Sequence, residues 1–184
     1  FGASDEKLIL QAGEGIALYQ EAAGDTDQRV RIYIEWEEVA SGPSAQNEFL
    51  FAFPRVENAA AANYVYASFF NPAASGKTAV VKRVSVMIDA VAAALYIPAT
   101  LRRITSASVG TQITAANIPK KNTSTANSAM DIRRTGVTVG LAGTVDSRLT
   151  GVQTPGTVGS AVAPAITGYK EIIFSVDERI ILQQ

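Results

Sequence analysis

From Arg29 to Glu37 the chain alternates without a break. Val30, Ile32, Ile34 and Trp36 are apolar, and Arg29, Arg31, Tyr33, Glu35 and Glu37 lie between them. Successive side chains of a β-strand point to opposite faces, so this segment reads as a half-buried strand. The only Trp of the chain falls on its inner side, and Val30, Ile32, Ile34 and Trp36 are the expected core face. A shorter strand, Gly15-Ile16-Ala17-Leu18-Tyr19-Gln20, precedes it, with Gly24-Asp25-Thr26-Asp27 as the connecting turn. Further strands are expected over 49–53, 63–70, 79–88, 95–104, 132–141 and 169–174. Their spacing and the Gly, Pro, Ser and Asn between them point to an all-β antiparallel sandwich of jelly-roll type with long loops. Helix signals are weak: short turns over 59–62 and 114–117, and the alanine-rich 90–94, where a helix competes with a strand.

A second feature concerns the two ends of the sequence. Asp5-Glu6-Lys7-Leu8-Ile9-Leu10-Gln11 returns as Asp177-Glu178-Arg179-Ile180-Ile181-Leu182-Gln183, with five of seven residues identical and Lys/Arg and Leu/Ile exchanges at the others. Chance similarity between two amphipathic strands is the bland explanation. A shared charged triplet followed by Ile-Leu-Gln goes beyond alternation of polarity. A strand present twice can fit one slot in its own unit and the same slot in a neighbour, the logic of repeating assemblies. Asp5, Glu6, Leu8, Leu10, Asp177, Glu178, Ile180 and Leu182 are therefore the candidate assembly interface. The expected division is an acidic strand segment, residues 1–40, that completes a sheet of its own or a neighbouring unit, and a sandwich body, residues 41–184.

Size and composition narrow the functions. A chain of 184 residues with 47% hydrophobic and 18% charged residues can bury a substantial core. It has no run of eighteen apolar residues, so no membrane span is expected. It has no Cys and no His. That excludes Cys/His zinc sites, disulfides, a cysteine nucleophile and a histidine base. Asp25-Thr26-Asp27 is the one local candidate for calcium, but it lacks the remainder of an EF-hand loop and reads as a solvated turn. No catalytic residues, cofactor or metal are expected.

The net charge of −1 conceals a strong asymmetry. Residues 1–40 hold nine acids against three bases, and residues 77–134 hold nine bases against two acids. The basic stretch could meet nucleic acid, yet it has little aromatic interleaving for base stacking. The favoured reading is that it meets the acidic start of the same or a neighbouring chain.

Two segments, 106–129 and 142–168, read as long loops, which in compact domains are commonly functional or rest against partners. Asn71-Pro72-Ala73-Ala74-Ser75-Gly76-Lys77-Thr78 ends like a phosphate-binding P-loop. Its first glycine is replaced by Asn71, Pro72 lacks an N–H, and a strand pattern follows where the motif needs a helix. A tight loop between two strands is the expectation. The adjacent acids Glu37-Glu38 and Asp177-Glu178 would face opposite ways on a strand, so neither can act as a catalytic pair without other help.

Several short stretches resemble structural proteins of tailed bacteriophages. They are the loop from Asn71 to Lys77 with Lys82-Arg83-Val84, then Leu101-Arg102-Arg103-Ile104-Thr105, then Ile118-Pro119-Lys120-Lys121-Asn122-Thr123. So is the pairing of Asp177-Glu178-Arg179 with Gly13-Glu14-Gly15-Ile16-Ala17-Leu18 and Glu35-Trp36-Glu37-Glu38. In such proteins the Gly-Glu-Gly hairpin and Trp strand are expected to follow the Asp-Glu-Arg strand at the C-terminus. Here they stand near the N-terminus, which fits a junction between tandem or interlocked units. The resemblance implies a non-enzymatic structural subunit of a virus particle, a capsid decoration (cement) or fibre protein. Its partners would be copies of itself and other virion proteins, with no membrane and no nucleic acid, and its place a virion or extracellular assembly. The runner-up is a subunit of a non-viral extracellular filament or adhesive fibre. A carbohydrate-binding sandwich is weaker, because such sites commonly present exposed aromatics and the only Trp sits on the apolar face of its strand, and an enzyme comes last.

Overall fold

The computed structural model of the chain describes residues 8–21, 29–40, 47–54, 56–57, 62–90, 99–122, 126–145 and 168–173. These form twelve strands: β1 (Leu8–Leu10), β2 (Gly15–Gln20), β3 (Arg29–Ala40), β4 (Asn47–Ala52), β5 (Val56–Glu57), β6 (Tyr64–Phe70), β7 (Lys77–Ala90), β8 (Ala99–Ser108), β9 (Thr111–Gln112), β10 (Asp131–Arg134), β11 (Thr138–Val145) and β12 (Gly168–Ile173). A single 3-10 turn, Ala115–Asn117, interrupts them among the described residues.

The strands make two antiparallel sheets packed face to face. In the first, the order is β1-β7-β3-β4, with β12 also on β7 and β5 also on β3. In the second, the order is β11-β8-β2-β6-β10-β9. The alternation that defined β3 governs how they meet. Val30, Ile32, Ile34 and Trp36 are 0–3% exposed, and Phe49 and Phe51 of the neighbouring strand, with Phe53 just past its end, are buried with them. The indole of Trp36 stacks on Phe49 at 5.3 Å within its own sheet and meets Phe69 of the opposite sheet edge-on at 4.8 Å. Burying these large side chains is the main favourable term of folding, at roughly 1.5–3 kcal/mol each.

Residues 8–40 are threaded through both sheets: β1 lies on an edge of the first, β2 is interior to the second, and β3 is interior to the first. The outward side of β2 is buried as well. Ala17 and Tyr19 join Val65, Ile104 and Val137 in a second, smaller apolar cluster. The left-handed turn at Val109 and Gly110 (φ +58° and +63°) carries the chain from β8 to β9, which sits on the far edge beside β10. The second sheet therefore curls on itself, and its concave side closes over this cluster.

Two local expectations change. The segment 132–141 is two strands, because Thr135 and Gly136 (φ +63° and +65°) turn the chain so that β10 pairs with β6 and β11 with β8. The segment 106–129 is largely ordered on its own chain. The N–H of Leu50 donates to the carbonyl of Pro119 and that of Lys121 to the carbonyl of Glu48, while Ile118 is buried in the core. Its backbone groups found partners along β4, the open edge of the first sheet. Residues 90–94 begin as the end of β7 and then pass outside the described residues, as does the turn Asp25-Thr26-Asp27.

Candidate assembly edge

Strand β7 is fourteen residues long, and β3 pairs with it along its whole length on one side. The other side holds two short strands end to end. β1 pairs Leu8 with Val81, Ile9 with Val80 and Leu10 with Ala79. β12 pairs Gly168 with Ile88 through Ile173 with Arg83. Only Lys82 separates the two, so the N-terminal copy of the repeated heptad and the strand leading to the C-terminal copy share one edge.

The parity of β1 sets its role. Leu8 and Leu10 are 0% exposed inside the sandwich, and Ile9 between them is 41% exposed on the outside. Two fully buried leucines contribute about 3–6 kcal/mol to holding so short a strand. Its end is clamped by Asn71, itself fully buried. The Asn71 side-chain amide donates to the carbonyls of Leu10 (3.1 Å) and Lys77 (2.9 Å), and its Oδ1 accepts from Ser75 Oγ at 2.5 Å. Thr78 Oγ1 donates to Gln11 Oε1 at 3.2 Å. Gly13, with φ +88°, makes the turn from β1 into β2 and donates its N–H to the Asn71 carbonyl at 2.8 Å. The loop that ends like a phosphate-binding motif is thus a tight strand connection whose Asn holds β1 in place.

The outer face beside this edge carries the charge asymmetry read from the sequence. A bulge in the β3–β7 pairing sets both Lys82 and Arg83 on the outside, against the acids of β3 and β4. Arg83 reaches Glu35 at 2.8 Å, Lys121 also bonds Glu35, and Lys82 bridges Glu48 (2.5 Å) and Glu37 (3.5 Å). On the second sheet, Arg102 of β8 reaches Glu21 at 2.9 Å and lies over the ring of Tyr19. The acidic start and the basic middle of one chain therefore meet each other. Burial pushes the Glu35 carboxyl up, but Lys121 and Arg83 outweigh it and hold the group below its ordinary range. Burial likewise pushes Lys82 down, and Glu48 and Glu37 more than reverse this.

Glu37 and Glu38 do face opposite ways. Glu38 is 1% exposed inside the sandwich, where it accepts from Trp36 Nε1, Ser128 Oγ and the Ala129 N–H. Sequence reasoning did not assign Glu38 or Asn71 these positions. The signals were present: Glu38 has the same parity as Trp36, and Asn71-Pro72 before Ser75-Gly76 is turn chemistry. The partners Lys121 and Glu48, distant in sequence, had no local signal.

Of the candidate interface, Leu8 and Leu10 are placed on this edge. Asp5, Glu6, Asp177, Glu178, Ile180 and Leu182 lie outside the described residues. Between the sheets a void of about 20 Å³, lined by Ile16, Ile32, Ile34, Phe69, Val84 and Leu101 among others, is apolar and water-sized. Among the described residues no three carboxylates gather in a metal-binding group. The fold is an antiparallel β-sandwich in which β7 carries two short strands of its own chain on one side. Compared with protein-family models, with curated proteins and with solved structures, the chain matches none.

Proposed function

We propose that this chain is a non-enzymatic structural subunit of a virus particle, a capsid decoration or fibre protein, that assembles through shared or added β-strands. The observation that carries the reading is the edge of β7. A three-residue strand from one copy of the repeated heptad fills part of it, and the strand leading to the other copy fills the rest. Added strands gain main-chain hydrogen bonds along their length and bury alternate side chains, a general route to association. A sandwich of jelly-roll type would suit a packed shell, and the resemblance to tailed-phage structural proteins points the same way.

The test is imaging and sedimentation of the purified protein, alone and mixed with empty phage capsids. Ordered decoration of capsids, or regular fibres, is the expected result. A chain that stays monomeric at high concentration and leaves capsids bare overturns it. Filaments that ignore capsids favour the non-viral fibre.

A further inference from the structure

We infer that the place of β1 on β7 is a shared slot, filled in the assembly by residues 177–183 of a second copy. The register is Ile180 opposite Val81, Ile181 opposite Val80 and Leu182 opposite Ala79. The inference rests on the reading of the chain as an assembly subunit and names the joint.

Each contact that the slot makes with its resident strand is one the second copy of the heptad can supply. The two wholly buried positions, Leu8 and Leu10, correspond to Ile180 and Leu182, so apolar character and parity are both kept. The outward Ile9 corresponds to Ile181. Gln11, whose side chain accepts from Thr78, corresponds to Gln183, which gives that identity a physical reason. Asn71 donates to the backbone carbonyl of Leu10, an acceptor that any occupant presents. One further contact of the resident strand is made outside the heptad: Glu14 accepts from the Gln11 N–H at 2.8 Å.

The register of β12 argues for a second copy over the same chain. Extending β12 unchanged past Ile173 along its own β7 sets Val176, not Ile181, opposite Val80, and β1 already stands there. For its own copy to reach the slot in the repeated register, a chain would have to displace β1 and also loop out five residues between adjoining positions. A second copy meets only the first demand. Displacing β1 uncovers Leu8 and Leu10, a cost that Ile180 and Leu182 of the incoming strand offset by taking the same buried positions.

The chain holds no cysteine, so introduced pairs report without background. Ile9→Cys with Val80→Cys in one chain is the positive control for cross-strand geometry and should oxidise within the monomer. The test mixes a Val80→Cys chain with an Ile181→Cys chain, assembles them, oxidises, and separates the products under denaturing conditions. A covalent heterodimer that depends on mixing, and falls at least tenfold when Leu182→Asp is added to the donor, is expected. An intrachain link in Val80→Cys with Val176→Cys, or in Val80→Cys with Ile181→Cys, places the segment on its own β7 and overturns the inference. Sedimentation of the same samples separates the two levels. Assemblies without the 80–181 link overturn strand exchange and leave the subunit reading standing, whereas no assembly and no link overturns both. Circular dichroism of each variant checks that the β signal is kept.

Discussion

Trp36 donates its indole N–H to the carboxylate of Glu38, 3.1 Å away and two residues along the same strand, with both side chains sealed in the interior. A carboxyl group at such depth needs its oxygens hydrogen-bonded, and Ser128 Oγ at 2.5 Å and the Ala129 N–H at 3.0 Å complete the set. The carboxylate thereby pins the segment around Ser128 to β3.

Replacing Glu38 by Ala strands three buried donors, each costing roughly 1–3 kcal/mol when unpaired. We expect a loss of about 3–5 kcal/mol for Glu38→Ala and about half that for Glu38→Gln, which keeps one acceptor oxygen. Urea unfolding followed by the emission of Trp36, the only Trp, measures both. Equal and small losses for the two variants would show that the network is not what holds this end of the sandwich.

Stability should fall at both pH extremes for identifiable reasons. The Glu35 carboxyl is pushed up by burial but held below its ordinary 4.5 by Lys121 and Arg83. The stability it provides is present above 4.5 and is lost as pH falls through the depressed value. Lys82 is pushed down by burial but raised above 10.5 by Glu48 and Glu37, and burial raises Tyr64 above 10.0 against a backbone hydrogen bond from Gly136. Their contributions are full below those ordinary values and are lost as pH rises past them. Glu35→Gln should flatten the acid limb of the unfolding free energy and Lys82→Met part of the alkaline limb. An acid limb unchanged in Glu35→Gln would contradict the assignment.

Asn71 ties three pieces together: the end of β1, the 72–77 loop and the start of β7. Asn71→Ala should cost about 2–4 kcal/mol, since it removes the donor to the buried Leu10 carbonyl, one donor to the Lys77 carbonyl and the acceptor of Ser75 Oγ. It should also raise hydrogen exchange at β1 more than at β3. Uniform loss of protection across the first sheet would mean that Asn71 supports the core at large and not the strand on its edge.

Backbone geometry predicts opposite outcomes at two positions. A Cβ on Gly15 would lie 2.6 Å from the carbonyl oxygen of Phe69 and 2.9 Å from the Cα of Phe70, backbone atoms of the paired strand β6 that cannot step aside. Gly15→Ala should therefore open the β2–β6 pairing at a cost of roughly 2 kcal/mol or more. Val109 is 64% exposed with φ +58°, a left-handed conformation that costs a β-branched side chain about 1–2 kcal/mol. Val109→Asn should raise the thermal midpoint by a few degrees. A lowered midpoint would show that the valine side chain makes a favourable contact outweighing its strain.

Most of the strands were legible because parity and turn chemistry are local. The pattern Val30, Ile32, Ile34, Trp36 needs no partner to declare its buried face, and Gly76 declares a turn by what a glycine permits. The loop of Asn71 was legible as a turn for the same reason. The repeated heptad was also visible in the sequence, as was the pairing of an acidic start with a basic middle. Where local reasoning failed, at the break of 132–141 and the ordering of 106–122, the deciding contacts came from strands distant in the chain.

The sequence by itself determined which side chains share a face and where the chain can turn, since both follow from the backbone geometry of near neighbours. Only the tertiary structure decided that β1 and β12 meet end to end on β7, that the second face of β2 is buried by a curled sheet, and that Glu35 is held by Arg83 and Lys121. Strand order, register and ion-pair partners are settled by which distant surfaces can be buried together, after the cost of closing the intervening loops has been met, and no window of neighbouring residues contains that comparison.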